Sequence, residues 1–153
     1  MPKVYVLVGV PAAGKSTWVA DQEWAAECAY ISTDQIVEAY AASVDKMYIE
    51  VFDDYMPTAV ELMVEEVIAA RDEGRDIIWD QTSTTVASRK KKLVMLPGYH
   101  KIAVVFPTPA AEELNMRLSS RMDKVIPQAV VDKMIEDYVT PTEEEGFDEV
   151  WYT

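Results

Sequence analysis

Near its N-terminus the chain reads Gly9-Val10-Pro11-Ala12-Ala13-Gly14-Lys15-Ser16. This run fills every fixed position of the phosphate-binding loop pattern G-x-x-x-x-G-K-[ST]. A β-branched and aromatic segment of strand length, Lys3–Val8, precedes the run, and residues 17–20 can continue it as a helix. Because the pattern has the strand and the helix that it requires, we interpret it as a phosphate-binding loop rather than as a turn that binds nothing.

This loop predicts that the protein binds a nucleoside triphosphate. Successive backbone N–H groups and the positive end of a helix dipole both favour an anion there. The Lys15 ammonium would reach the β- and γ-phosphates, and the Ser16 hydroxyl would ligate Mg²⁺. The predicted nucleotide-binding residues of this segment are Gly9, Pro11, Ala12, Ala13, Gly14, Lys15, Ser16 and Thr17.

Length and composition predict one packed domain that spans residues 1–153. A chain of 153 residues, half of them hydrophobic, can bury about two thirds of its unfolded surface. The 27 acidic and 14 basic residues give a net charge of -13. Such a surface repels a polyanion at long range, so the charge argues against a large nucleic-acid footprint but not against a few bound nucleotides.

The sequence also narrows the cellular setting and the classes of metal site. The one cysteine, Cys28, excludes a disulfide framework, and the one histidine, His100, cannot complete a zinc site with it. We expect Cys28 to be a buried, inert thiol. The apolar runs are too short to span a bilayer and the N-terminus enters a strand without a signal peptide, which predicts a cytoplasmic protein with no membrane partner.

Segments of strand and helix character alternate along the chain. The predicted strands are residues 3–8, 28–32, 76–80, 101–106 and 149–152, and the predicted helices are residues 15–26, a segment behind residue 34, 45–72, 86–96, 109–118 and 127–139. Alternation of this kind predicts the α/β class, with a doubly wound parallel sheet of about five strands and helices on both faces. Ligands bind at the carboxyl ends of the strands in such sheets, which places Gly9, Asp34 and Asp80 on one rim.

Two helices carry patterns that predict what they face. Apolar residues at helical spacing predict the core side of the longest helix: Val60, Met63, Val64, Val67 and Ile68. Pro57 would mark a start or a kink in the same helix. In the next helix, the basic run at residues 89–92 is predicted to be a solvated face, as charge runs usually are.

Two carboxylates follow strands at the predicted rim. Asp80 closes an apolar strand, where a Walker-B acid would hold Mg²⁺ directly or through water; the alternative is a turn residue. Asp34 could accept the proton of an acceptor hydroxyl, or it could serve with Ser32 and Thr33 as a helix N-cap. Residue spacing alone leaves both choices open.

A short basic segment lies near residue 120 of this acidic chain. It contains Arg117, Arg121 and Lys124, and positions 117 and 121 share a face if the helix extends that far. Guanidinium groups there could close over the phosphates as a lid and neutralise charge in the transition state. The alternative is a solvated basic face.

Four segments together resemble the kinase domain of the polynucleotide 5′-hydroxyl kinases of bacteriophages and bacterial RNA-repair enzymes. They are residues 9–16, 32–34 (Ser-Thr-Asp), 79–83 (Trp-Asp-Gln-Thr-Ser) and 117–127, and the likeness extends over nearly the whole chain. The resemblance implies a P-loop kinase domain with an arginine-bearing lid. It also implies ATP as the phosphate donor, with Mg²⁺, and a nucleic-acid 5′-hydroxyl as the acceptor.

The same resemblance implies roles for single residues. Asp34 matches the family's general base. Lys15 and Ser16 match its phosphate-loop pair. Arg121 matches the lid arginine over the ATP phosphates, and Arg117 matches a second lid arginine.

Asp80 matches the carboxylate after the third strand, but another position departs from the family. The family pattern Asp-x-x-Arg, whose arginine contacts the acceptor phosphate, ends here in Val37. We therefore expect a weak hold on a polynucleotide, which Val37→Arg would strengthen by about 1–3 kcal/mol. Three functions remain open: a kinase of polynucleotide 5′-hydroxyls, a kinase of a small hydroxyl compound such as a nucleoside, sugar or antibiotic, and a nucleotide-binding switch, which would need no acceptor base.

Overall fold

A five-stranded parallel sheet forms the centre of the protein. The computed structural model describes residues 1–121 and 124–153. Its strands are β1 (Lys3–Val8), β2 (Ala29–Ile31), β3 (Ile77–Asp80), β4 (His100–Val105) and β5 (Glu149–Tyr152), in the order β2-β3-β1-β4-β5. All four pairings are parallel, which confirms the predicted fold class.

Helices cover both faces of this sheet. They are α1 (Lys15–Ala20), α2 (Thr33–Ser43), α3 (Tyr48–Asp72), α4 (Val86–Leu93), α5 (Ala111–Ser119) and α6 (Gln128–Asp137). Alternate residues of β1 enter two separate cores: Val4, Val6 and Val8 pack with α3 and α4, whereas Tyr5 and Leu7 pack towards α1. Burial on both faces explains why β1 is an almost continuous apolar run.

The helix predicted over residues 15–26 is shorter than expected. It ends at Ala20, and a separate 3-10 turn, Glu23–Glu27, follows. The break lets Trp24 turn back onto the sheet, where its ring stacks on Tyr5 with 4.4 Å between ring centroids. Cys28, directly after this turn, is buried as predicted.

The long helix α3 also differs from its predicted pattern. Val60 and Ile68 are exposed, and the buried residues are Val51, Ala59, Met63, Val67 and Ala70. The reason is that α3 packs first on α2 and then on the sheet, so its buried stripe follows two partners. Pro57 lies inside α3 rather than at its start.

The basic run of α4 is not a solvated face, so that prediction is wrong for two of its residues. Arg89 is fully buried, and its Nε and Nη2 donate to the Glu145 carboxylate at 2.7 and 2.9 Å. Lys92 is 8% exposed, and its ammonium lies 5.6 Å from the centroid of the Trp79 ring. Burial, helped by the nearby Arg89 charge, lowers the pKa of Lys92 to about 8.

Other helix boundaries differ by a few residues. The helix predicted over residues 86–96 ends at Leu93, and the one predicted over 109–118 begins at Ala111, which leaves Pro109 outside its first turn. The short basic segment that contains Arg117, Arg121 and Lys124 also includes Met122 and Asp123, which lie outside the described residues. No helix in the described part of the chain is long and apolar enough to cross a membrane.

Candidate active site

The phosphate-binding loop connects β1 to α1 and is fixed by its neighbours. The Gly9 N–H donates to the Thr82 carbonyl at 2.9 Å, which ties the loop to the exit of β3. A Cβ atom on Gly9 would lie 2.9 Å from Cβ of Phe106, so only glycine allows this approach. Gly14 has a φ of 101°, a left-handed conformation that glycine adopts without strain.

The Lys15 ammonium lies in the centre of the loop. It donates to the carbonyls of Gly9 at 2.7 Å and Val10 at 3.3 Å. Burial lowers its pKa to about 8, against the opposing effect of the Asp80 and Asp34 carboxylates. Both predicted carboxylates therefore lie close enough to Lys15 for their charges to act on it.

Asp80 lies at the carboxyl end of β3, as predicted, and is held by a tyrosine. The Tyr30 hydroxyl, from β2, donates to Oδ2 of Asp80. Burial raises the pKa of Asp80, although the Tyr30 hydrogen bond and Lys15 act in the opposite direction. Asp80 and Ser16 line one cavity, and a single carboxylate with a hydroxyl suits Mg²⁺, which is bound largely by phosphates and water. The described residues contain no cluster of three or more Asp, Glu, His or Cys side chains that could hold a metal by itself.

Asp34 lies in the first turn of α2 but does not cap this helix. The N-cap is Ser32, whose Oγ accepts from the Gln35 N–H at 3.3 Å, so the capping interpretation is wrong for Asp34. The exposed Asp34 carboxylate instead accepts a hydrogen bond from the Tyr48 hydroxyl at 2.7 Å. It is therefore available to a ligand in the cavity.

The lid segment, residues 117–121 and 124–127, lies across the loop. Arg117 donates to the Ala12 carbonyl at 2.9 Å and pairs with Glu113 at 2.7 Å. Arg121 lines the cavity, and its charge contributes to the lowered pKa of Lys15. Lys124 pairs with Glu38 of α2.

A cavity of about 1100 Å³ collects nearly all of the predicted site residues. Pro11 to Thr17, Asp34, Asp80, Arg117 and Arg121 line it; Gly9 does not. The end formed by the starts of α2 and α3, which we term the acceptor end, is lined by Asp34, Gln35, Glu38, Tyr48, Phe52 and Asp53. Sequence reasoning missed Tyr30, Tyr48 and Phe52, because no spacing in the sequence links them to the carboxylates that they adjoin.

Val37 does not face this cavity. Its side chain is fully buried between α2 and α3, where it packs with Ala41, Val51 and Ala59. An arginine at this position would lie in an apolar core rather than beside an acceptor phosphate. The buried position of Val37 removes the physical reason for the predicted gain in binding from Val37→Arg.

Comparisons with known proteins agree with this fold. The sequence matches the family described as the AAA domain over residues 4–141. The structure is similar to a candidate kinase from Chloroflexus aurantiacus J-10-fl, with a TM-score of 0.73 and 15% identity over 99% of this chain and 84% of that one. A gluconokinase from Sinorhizobium meliloti 1021 gives a TM-score of 0.55 and 16% identity over 99% of this chain and 81% of that one.

A further similarity is to a chain of the Pnkp1/Rnl/Hen1 RNA repair complex. The TM-score is 0.64 and the identity is 23% over 89% of this chain, which spans only 43% of that one. At these identities the solved structures share a fold with this protein, and the fold is that of P-loop kinases.

Proposed function

The chain belongs to the AAA domain family, and from that premise we propose that it is a phosphotransferase that moves the γ-phosphate of ATP to a hydroxyl group. The observation that carries the proposal is the position of Asp34, whose carboxylate shares one cavity with the phosphate-binding loop and the lid arginines. A nucleotide-binding switch would need no such carboxylate. A kinase needs it to accept the proton of the attacking hydroxyl.

The proposed reaction assigns one task to each group. Asp34 takes the hydroxyl proton as the acceptor oxygen bonds to the γ-phosphorus. The bond from that phosphorus to the β–γ bridging oxygen breaks, ADP leaves with the electron pair, and Asp34 later releases the proton to water. Lys15 and Arg121 neutralise the charge that spreads over the transferring phosphoryl group, and Arg117 holds the lid segment on the loop.

Magnesium fits the donors at the base of the cavity. The Ser16 hydroxyl and the Asp80 carboxylate would hold it, and the ion would neutralise phosphate charge. Because Oδ2 of Asp80 accepts the hydrogen bond from Tyr30, Oδ1 would be the oxygen that holds the ion.

The first candidate acceptor is the 5′-hydroxyl of a polynucleotide. Support comes from the resemblance carried by Asp34, Asp80 and the lid arginines, and from the likeness to a chain of an RNA repair complex. The acceptor end would hold few phosphates of a polynucleotide, because carboxylates line it. Binding of an oligonucleotide should therefore lose little affinity with added salt.

The second candidate is a small, neutral or cationic hydroxyl compound, and the lining of the acceptor end favours it. Asp34 and Asp53 would repel an acceptor phosphate, whereas Glu38 is neutralised by Lys124 and the Tyr48 and Phe52 rings offer an apolar wall. A nucleoside, an amino sugar or a similar ring compound satisfies both conditions. The two candidates share the same donor, base and lid.

Transfer of labelled γ-phosphate from ATP tests the proposal and separates the two acceptors. The panel contains a 5′-hydroxyl oligonucleotide, the same oligonucleotide already phosphorylated, nucleosides and amino sugars. We expect transfer to one hydroxyl class, a loss of about 10²-fold or more for Lys15→Ala, and near-complete loss for Asp34→Asn with ATP affinity unchanged. An Asp34→Asn variant that retains the wild-type rate would exclude a base at this position.

A further inference from the structure

We propose that Tyr48 is a positioning residue for Asp34, and that Lys124 of the lid segment holds the Tyr48 ring in the place this requires. The inference rests on the proposed function, because it concerns how the base of that reaction is oriented. It joins three elements at the acceptor end: the starts of α2 and α3 and the lid segment.

The hydrogen bond from Tyr48 selects one oxygen of the Asp34 carboxylate. Asp34 is exposed, and a free aspartate rotates broadly about its terminal carbon–carbon bond. The Tyr48 hydroxyl donates to Oδ1 at 2.7 Å. Oδ1 is thereby occupied, the rotation is restricted, and Oδ2 is left to receive the proton of the acceptor hydroxyl.

The Tyr48 hydroxyl is itself well placed to act as a fixed donor. Tyr48 is the first residue of α3, a start that is secured by the Met47 N–H donating to Oε2 of Glu50 at 2.7 Å. Its ring is tilted against Phe52 with 5.4 Å between centroids. Burial and then the Asp34 hydrogen bond raise the pKa of Tyr48 above its ordinary value, so the hydroxyl keeps its proton and donates it.

Lys124 connects this pair to the lid segment. Its ammonium lies 5.4 Å from the centroid of the Tyr48 ring, within the range of a cation–π contact. The same ammonium pairs with Glu38, which is four residues after Asp34 and so on the same face of α2. Lys124 therefore contacts both Tyr48, which orients Asp34, and α2, the helix that carries Asp34. A lid segment in this position favours the orientation of the Asp34 carboxylate that the reaction needs.

The test compares Tyr48→Phe with the control variant Tyr40→Phe, which also removes one tyrosine hydroxyl. Tyr40 also lies between α2 and α3, stacked on Tyr55 with 3.7 Å between ring centroids, but it does not line the cavity. The rate of phosphate transfer from Mg·ATP is measured under single-turnover conditions, and KM for ATP under steady-state conditions, with water and with the hydroxyl compound that is active in the panel. We expect Tyr48→Phe to lower the transfer rate about 10- to 100-fold with KM for ATP unchanged, and Tyr40→Phe to leave both unchanged.

The Lys124→Met variant tests the lid segment in the same assay. We expect a smaller loss, about 3- to 10-fold, because the hydroxyl remains and only the placement of the ring is weakened. Combined with Tyr48→Phe, it should add little further loss, since the two residues act through one hydrogen bond. Full additivity of the two losses would overturn the part assigned to Lys124.

A second background separates positioning from a general structural role. In Asp34→Ala, adding Tyr48→Phe should cause no further loss of the residual rate, because the carboxylate it orients is gone. A structural role at the start of α3 would lower the rate in both backgrounds and lower the melting temperature as well. If wild type is active and Tyr48→Phe transfers phosphate as fast as Tyr40→Phe, the positioning role of Tyr48 is overturned but the proposed function is not. If wild type transfers phosphate to no acceptor in the panel, the proposed function itself is overturned.

Discussion

At the scale of single residues, the shape of the Arg121 side chain should matter as well as its charge. Arg121 lines the cavity beside Lys15. We predict that Arg121→Ala lowers kcat on the order of 10²-fold, and that Arg121→Lys recovers only part of the loss, because lysine lacks the planar fork of donors. Steady-state kinetics with the active acceptor would measure this.

The control for this pair is Arg75, which is exposed and lies outside the cavity. Arg75→Lys and Arg75→Ala should both retain the wild-type kcat. If Arg121→Lys also retained it, the residue would act only as a diffuse positive charge, and the predicted contact with the phosphates would be wrong.

Single residues also show where sequence reasoning succeeds and fails in this site. The loop residues could be predicted because they are contiguous and their chemistry follows from one short pattern. Tyr48 could not, because it is 14 residues from Asp34 and meets it only once α2 and α3 pack together. Tyr30 and Asp80 are 50 residues apart and meet through the pairing of β2 with β3.

At the scale of elements, the α2–α3 pair decides what an arginine near Asp34 would do. Val37 is fully buried there, so Val37→Arg places an unpaired charge in an apolar core. We predict that this variant loses more than about 4 kcal/mol of the free energy of unfolding. Urea denaturation followed by circular dichroism would measure the loss.

Gln35→Arg provides the matched comparison on the same helix. Gln35 is exposed and lines the acceptor end, so its replacement should change stability by less than about 0.5 kcal/mol. It should strengthen the binding of an oligonucleotide but not of a bare nucleoside. A Val37→Arg variant as stable as wild type would contradict the buried position of residue 37.

Strands were predicted more accurately than helix ends or faces. Apolar runs of strand length are buried on both faces of a parallel sheet, so their sequence is almost sufficient to locate them. The prediction that the basic run of α4 is a solvated face was wrong, because a run of charges does not reveal which residue will pair with it in the fold. Glu145, which pairs with Arg89, is 56 residues further along the chain.

At the scale of the whole molecule, Lys92 should make stability depend on pH. Its pKa is lowered from 10.5 to about 8. Below pH 8 the lysine is charged in both folded and unfolded chains, and the folded state bears the cost of burial. Between pH 8 and 10.5 the Lys92 amine binds a proton more tightly in the unfolded chain than in the folded one, so the contribution of Lys92 to the free energy of unfolding rises with pH. Above pH 10.5 the lysine is neutral in both states, and the cost of burying its charge is gone.

Lys92→Met removes this cost, and we predict a gain of about 1–3 kcal/mol in the free energy of unfolding at pH 7. The lower end of this range allows for the loss of the stabilising contact between the Lys92 ammonium and the Trp79 ring. The gain over wild type should shrink as the pH is raised to 10. Lys91 is the exposed neighbour of Lys92, so the control variant Lys91→Met should show no such dependence on pH. An equal gain for Lys92→Met at pH 7 and pH 10 would contradict the lowered pKa of Lys92.

The ion pair between Arg89 and Glu145 has a consequence for how sequences of this fold can diverge. Loss of either partner alone leaves the other charge buried and unpaired, which typically costs about 3–5 kcal/mol, whereas joint replacement by apolar residues can be neutral. A lineage can therefore change both positions together far more readily than either one first. Aligned relatives should show correlated residues at positions 89 and 145, even though neither side chain reaches the cavity.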